Sequence, residues 1–205
     1  MTVEADRSGA IILAGGRATR LGGAAKPLLD IGGRTLLDRV VHAVADCSPI
    51  VVVGPAAVTA QKVIWTREEP PFGGPVAGIA AGLVRIDSAE VYLVAADLVH
   101  PDDAVAALRR HPPLADGMDG VCLSDADGRM QWLTGRYRTD ALRAAVAALP
   151  ASGRDASMRS FLAPLSLTAC RAGDLAADVD TWHDLDRARA SIPARGPRQP
   201  LEETP

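Results

Sequence analysis

The sequence predicts an α/β fold in which a largely parallel sheet is covered by helices. Short apolar runs bounded by turn residues alternate with amphipathic segments along the chain, which is the pattern of such a sheet. The chain has 205 residues, 48% of them hydrophobic, enough to build the core of one sizeable domain. A glycine-rich loop follows the first apolar run directly, as expected where a strand delivers backbone to a ligand.

The elements follow in order from that alternation. Strands are expected at Ala10 to Leu13, Ile50 to Val53, Lys62 to Trp65, Val91 to Ala95, Gly120 to Leu123, Leu133 to Tyr137 and Leu165 to Cys170. The first helix is expected at Thr35 to Asp46, because Leu36, Val40, Val41 and Val44 recur on one helical face. Helices at Val76 to Arg85, Asp102 to Arg110 and Thr139 to Ala148 fill the gaps between later strands. Asp102 and Asp103 suit the start of their helix, where carboxylates cap backbone N–H groups and complement the dipole. Short helices at Ser157 to Leu162 and Thr181 to Ala190 complete the series. Residues 9–192 are read as a single domain, with residues 1–8 and 193–205 as unstructured tails; the second tail has four prolines and almost no apolar side chains.

Composition excludes several functional classes. A formal charge of −3 and 3% aromatic residues provide neither the basic field nor the stacking platforms of a nucleic-acid binder. Cys47, Cys122 and Cys170 are odd in number and far apart, so they are read as buried reduced thiols rather than disulfide or metal ligands. With no leader and no apolar stretch of membrane-spanning length, a cytoplasmic enzyme is expected, without membrane partners.

The loop from Leu13 to Lys26 is the most informative stretch. Paired glycines at Gly15-Gly16 and Gly22-Gly23 allow close approach of backbone N–H groups to a phosphate, and Arg17, Arg20 and Lys26 can neutralise it. There is no Gly-Lys-Ser/Thr ending of a Walker loop and no third glycine at the dinucleotide spacing.

Other candidate residues lie just after strands, where parallel sheets collect ligands. Asp97 ends an apolar run and stands too early to cap the helix at Asp102, so it is read as a Mg²⁺ ligand. The loop Arg67 to Gly78 leads into a helix start without bulky side chains, at Gly78, Ala80, Ala81 and Gly82, open to a flat ligand. Glu68 or Glu69 there could accept from the N1–H and amino group of a guanine, a donor pair that adenine lacks. Asp180 is either a helix cap together with Thr181 and Asp184 or a second metal ligand. Gln131, Arg154 and Arg159 are candidates for a second, phosphorylated substrate, although each arginine taken singly reads as a surface charge.

Together these motifs resemble those of the nucleotidyltransferases with a Rossmann-like sheet. The carriers are Ile12-Leu13-Ala14-Gly15-Gly16, Arg20-Leu21-Gly22-Gly23, Lys26-Pro27-Leu28-Leu29 and Gly32-Gly33-Arg34-Thr35-Leu36-Leu37. Within that superfamily the chain looks most like the molybdenum cofactor guanylyltransferases, through Gly74-Pro75-Val76-Ala77-Gly78, Ala95-Ala96-Asp97, Gln131-Trp132-Leu133 and Asp178-Val179-Asp180-Thr181. The resemblance implies a three-layer fold with a mostly parallel mixed sheet, GTP and a molybdopterin-type acceptor as substrates, Mg²⁺ as cofactor, and other molybdenum cofactor biosynthesis proteins as partners. It also implies that Leu13, Ala14, Gly15 and Gly16 contact the nucleotide, Lys26 its phosphates and Asp97 the metal. Glu68 and Gly54 fall near the family's guanine-contacting positions. Gly74 and Gly78 are read as nucleotide-binding with them, and on physical grounds Arg20 is read as holding the departing pyrophosphate. The chain departs from the family in Leu98-Val99-His100-Pro101, which sets the proline two positions late, and in Asp180 and Trp182-His183. Transfer from CTP, or to a sugar phosphate or phospholactate, and a non-catalytic nucleotide-binding role are the competing readings.

Overall fold

The computed structural model describes residues 8–15, 25–179 and 181–192. Its main sheet has seven strands in the order β5-β4-β1-β6-β8-β7-β9. These are β1 (Gly9–Leu13), β4 (Ile50–Val53), β5 (Ile64–Thr66), β6 (Glu90–Ala95), β7 (Gly120–Ser124), β8 (Met130–Arg138) and β9 (Leu167–Arg171). All seven correspond to predicted strands. Only β8 runs against the rest, pairing antiparallel with both β6 and β7. The remaining pairs are parallel, with Ile11 level with Val51 on one side and Leu93 on the other.

The continuous apolar runs of β1, β4 and β6 make sense because both faces of the sheet are covered. Ile12, Val52 and Val94 face α1 (Leu36–Ala43) and α3 (Pro101–Arg110), packing on Leu37, Val40, Val41 and Leu108. Ile11, Val51 and Leu93 face α2 (Gly74–Leu83), α4 (Thr139–Ala147) and α5 (Met158–Leu162), which contribute Ile79, Leu83, Leu142 and Phe161. Ile11 and Ile12 are fully buried, so truncating either to alanine would cost about 2–5 kcal/mol through lost transfer energy and a residual cavity. A third, smaller cluster joins Ile31, Leu36 and Val99 to Val179 and to Leu185 and Ala188 of α6 (Trp182–Ser191).

The predicted first helix ends earlier than Asp46, and the strand expected from Leu133 begins at Met130. A two-stranded hairpin of β2 (Asp30–Ile31) and β3 (Arg34–Thr35) was not predicted. Its turn is Gly32-Gly33, with φ of 64° and 82°, the mirror-image turn that matches strand twist and that glycine adopts without a side-chain penalty. Asp30 Oδ1 accepts from the Gly33 N–H at 3.1 Å, and Thr35 Oγ1 then caps α1 by accepting from Asp38 N–H at 3.0 Å. These two glycines, part of the motif that carried the resemblance, therefore make a turn that leads into α1. No described helix is long and apolar enough to cross a membrane.

Candidate active site

Because β1, β4, β5 and β6 are parallel, they all end at one edge, and the chain leaving them stays hydrogen-bonded to its neighbours. Ala14 N–H donates to Val53 O at 2.9 Å, Gly54 N–H to Thr66 O at 2.9 Å and Ala96 N–H to Leu13 O at 3.0 Å. These bonds hold the residues just beyond the strands in place. The antiparallel direction of β8 brings its first residues, rather than its last, to the same edge. A cavity of about 520 Å³ opens there, with walls from all these strand ends.

On the β1 side, Leu13 and Gly15 line the cavity while Ala14 and Gly54 pack together behind it. A Cβ on Gly54 would lie 2.9 Å from the Ala14 carbonyl carbon and 3.1 Å from Gly15 N, and its φ of +154° disfavours any side chain. Gly54 is thus the seat for the loop entrance. Gly16 and Arg20, together with Arg17, lie outside the described residues.

Lys26 opens a 3-10 turn, Lys26–Leu28, in which Leu28 N–H donates to Ala25 O at 2.8 Å and Leu29 N–H to Lys26 O at 3.1 Å. Leu36 N–H in turn donates to Leu29 O at 3.0 Å, tying the turn to the start of α1. From there Lys26 Nζ reaches Asp97 Oδ2 at 2.6 Å, with the two side chains only 16% and 23% exposed. Asp97 lies beyond β6 and is no helix cap, since His100 holds that position for α3.

The backbone around Asp97 is paired with a segment far along the chain. Val179 N–H donates to Asp97 O at 3.1 Å and Val99 N–H to Ala177 O at 3.0 Å, leaving Leu98 opposite Asp178 in an antiparallel bridge. Val179 is fully buried and Asp178 lines the cavity. Asp178 was not singled out from the sequence, although the Asp-Val-Asp alternation was an available signal, since alternate residues of extended chain share a side. Asp180 lies outside the described residues. Thr181 caps α6: its Oγ1 accepts from Asp184 N–H at 3.2 Å, and Asp184 Oδ2 accepts from Thr181 N–H at 2.8 Å. The Thr181 hydroxyl, donating to Asp184, is the main cause that lowers the Asp184 carboxyl to about 2; the Thr181 N–H and Arg187 add to it, and desolvation opposes it.

The loop between β5 and α2 makes the opposite wall. Glu68 lines the cavity, and its Oε1 accepts from Phe72 N–H at 2.9 Å, which orients the carboxylate without using all its lone pairs. Phe72 has φ of 66°, a conformation that costs a bulky residue energy and is common at ligand sites, and the Arg67 guanidinium lies 5.1 Å from its ring centroid. Gly74 and Gly78 line the cavity at the start of α2. Gly82, also read as leaving room for a ligand, instead lets α2 approach β1, since a Cβ there would lie 2.9 Å from Ile11 Cγ2.

Arg154 belongs to this wall's support and does not line the cavity: its Nη1 donates to Pro70 O at 2.9 Å, and the adjacent Asp155 N–H donates to Gly73 O at 2.8 Å. Arg159 is exposed on α5, whose cavity residue is Met158. Neither arginine can therefore be assigned to the second substrate from its position.

The third wall is the beginning of β8, where Gln131, Trp132, Leu133 and Thr134 all line the cavity. Gln131 Nε2 donates to Asp125 Oδ2 at 3.3 Å. A carboxylate only accepts, so the amide nitrogen must face Asp125, and Oε1 is the end of Gln131 suited to a ligand's donor. Among the described residues, Glu68, Asp97 and Asp178 are the carboxylates in the cavity wall. Asp97 and Asp178 both line the cavity, Asp97 through a carboxylate already paired with Lys26. Among the described residues no group of three or more His, Cys, Asp and Glu side chains gathers into a metal centre.

The same architecture recurs in solved structures. A nucleotidyl transferase from Methanothermobacter has a TM-score of 0.70 at 18% identity, covering 90% of this chain and 97% of that one. The molybdopterin-guanine dinucleotide biosynthesis protein A of Archaeoglobus fulgidus has a TM-score of 0.64 at 18% identity, covering 89% and 97%. In sequence, the chain is 40% identical over 109 residues to the molybdenum cofactor guanylyltransferase of a Bradyrhizobium species, covering 48% of this chain and 51% of that one. It is 38% identical over 89 residues to that of Nitrobacter hamburgensis, covering 40% and 42%. The chain thus spans about half the length of the curated relatives it matches. The profile of the MobA-like NTP transferase domain matches residues 10–170. Since that match runs from β1 into β9 and takes in every wall of the cavity except Asp178, the chain belongs to the family of MobA-like NTP transferase domains.

Proposed function

We propose that this protein transfers GMP from GTP to the phosphate of molybdenum-loaded molybdopterin, releasing pyrophosphate and forming the guanine dinucleotide cofactor. The observation that carries this reading is the Lys26–Asp97 ion pair, whose carboxylate lines the cavity of a MobA-like domain. The names of the similar curated proteins support it.

An oxygen of the acceptor phosphate attacks the α-phosphorus of GTP. A new P–O bond forms, the bond from the α-phosphorus to the α,β-bridging oxygen breaks, and its electron pair leaves with pyrophosphate. The nucleophile is already ionised at neutral pH, so positioning and charge neutralisation supply the catalysis. Lys26 exchanges its carboxylate partner for the nucleotide phosphates, assisted by backbone N–H groups of the loop that begins at Gly15. Leu13, Ala14, Gly15 and Gly16 hold the nucleotide, Gly54 supports them, and Arg20 meets the pyrophosphate. Glu68, with the small surface of Gly74 and Gly78, receives the guanine. Gln131 faces the acceptor. Asp97 would hold Mg²⁺ together with Asp178 or Asp180, and the ion when bound neutralises charge on the phosphates.

The test is a panel of the four nucleoside triphosphates with Mg²⁺ and molybdenum-loaded molybdopterin, read by pyrophosphate release and by the mass of the dinucleotide. GTP should be preferred. Preference for CTP would overturn the guanine assignment, and Mg²⁺-dependent binding with no pyrophosphate release from any nucleotide would favour an accessory binding protein.

A further inference from the structure

We infer that Tyr137 is a positioning residue that shapes the acceptor-facing wall from behind, through a hydrogen bond from its hydroxyl to the Trp132 carbonyl oxygen. The inference rests on the proposed placing of the acceptor at Gln131, and extends it to the β8 residues that follow Gln131 in the cavity wall.

The wall is made by an irregularity in the sheet. Cys122 of β7 is paired with Gly135 of β8, but the next β7 residue, Leu123, is paired with Gln131. Trp132, Leu133 and Thr134 therefore lie between consecutive β7 partners, and their backbone loses regular pairing on that side. Such bulges re-aim side chains beside ligand sites and must be held open by other contacts. All three residues line the cavity.

The contact that holds this one comes from the core. Tyr137 is completely buried in the cluster that includes Cys122, Leu142 and Phe161. Phenylalanine would fill such a place without a polar atom to satisfy, so a hydroxyl here needs a partner. It donates to Trp132 O at 2.7 Å. Burial, with the Cys122 thiol beside it, pushes the phenol well above its ordinary value, so it stays a donor.

The chain also makes room for this ring. A Cβ on Gly120 would lie 2.5 Å from Tyr137 Cδ1, and one on Gly135 would lie 2.7 Å from Cε2 and 2.8 Å from the hydroxyl oxygen. Glycines on β7 and β8 thus form a berth that sets the height of the hydroxyl beneath the bulge. The residues assigned to the nucleotide phosphates sit on other elements, Gly15 after β1, Lys26 in its turn and Asp97 after β6. Loss of the hydroxyl should then be felt by the acceptor and not by the nucleotide.

The experiment is Tyr137→Phe in the full chain, which keeps the ring and its packing. Amide hydrogen exchange of the ligand-free protein should quicken about fivefold across residues 131–134, the scale of one net hydrogen bond, with β6 unchanged. In the transfer assay the KM for molybdenum-loaded molybdopterin should rise about fivefold, while kcat and the KM for GTP stay within about twofold. Unchanged exchange at 131–134 overturns the inference, as does an unchanged acceptor KM or a parallel loss in both substrates. If the wild-type protein shows no transfer, the functional assignment fails, and with it the acceptor-facing role; the exchange measurement then separately decides whether Tyr137 braces the bulge.

Discussion

Lys26 Nζ and Asp97 Oδ2 meet at 2.6 Å across the edge of the sheet, one from a tight turn before the β2–β3 hairpin and the other from the end of β6. In the ligand-free protein each half-buried charge neutralises the other. In the proposed reaction the nucleotide phosphates would take the ammonium and free the carboxylate to hold Mg²⁺.

Lys26→Ala and Asp97→Ala are each expected to lower nucleotide transfer by ~10²–10³-fold, the usual effect of removing one preorganised electrostatic contact. Each variant leaves the other charge mostly out of water and should lose about 1–3 kcal/mol of stability while still folding. Pyrophosphate release at saturating GTP measures the first effect and a melting curve the second. Near-normal turnover in either variant would refute the site.

Gly54→Ala is expected to cost about 1–3 kcal/mol of stability and to raise the nucleotide KM, because the new Cβ has only the backbone of Ala14 and Gly15 to displace. Denaturant unfolding and a GTP titration check the two effects. A variant with unchanged midpoint and unchanged KM would show that Gly54 is not the seat of the loop.

Burial, aided by the Asp46 carboxylate, pushes the Cys47 thiol up to about 12, and burial pushes Cys122 up to about 11. At neutral pH both should resist a thiol reagent in the native protein and react once the chain is unfolded. These raised values also stabilise the fold below the ordinary thiol value of 9, and that contribution should be lost as pH rises through 9 towards 11–12. Rapid labelling of Cys47 or Cys122 at pH 7 in folded protein would contradict their placement.

Asp184 is held at about 2 against an ordinary value of 3.8, so the α6 cap contributes stability above pH 4 that is lost as pH falls towards 2. Asp184→Asn should remove that pH dependence from the unfolding of the last helix, read by circular dichroism between about pH 5 and 2. An unchanged acid profile in the variant would show that the cap contributes nothing.

The more polar β8 and β9 were placed less closely at their starts, whereas β1, β4, β6 and β7 were legible as short apolar runs, a signal that needs no knowledge of neighbours. The same is true of α1, whose buried Leu37, Val40 and Val41 lie on the face that the spacing picked out. Gly32-Gly33 was legible as a motif and not as a hairpin turn, since apolar residues around it are too few to reveal such short strands. Asp97 was legible as a cavity residue because it follows a buried strand at the edge where parallel sheets collect ligands. Asp178 was missed because its place depends on pairing with Leu98, a contact that no local pattern encodes. Arg154 was a candidate for a phosphorylated substrate or a surface charge, and its bond to the Pro70 carbonyl was not visible in the sequence because it joins residues far apart in the chain.

By itself, the sequence determined the α/β class, the order of the main-sheet strands and the helices between them, the glycine-rich loop and its charged residues, because period, turn chemistry and charge are local properties of the chain. The tertiary structure alone decided that β8 runs against its neighbours, that its bulge forms a wall of the cavity, and that Lys26 and Asp97 share one site with Asp178. Strand direction and side-chain partnership are set by which distant segments bury their faces together, and that choice is made by the packed sheet as a whole.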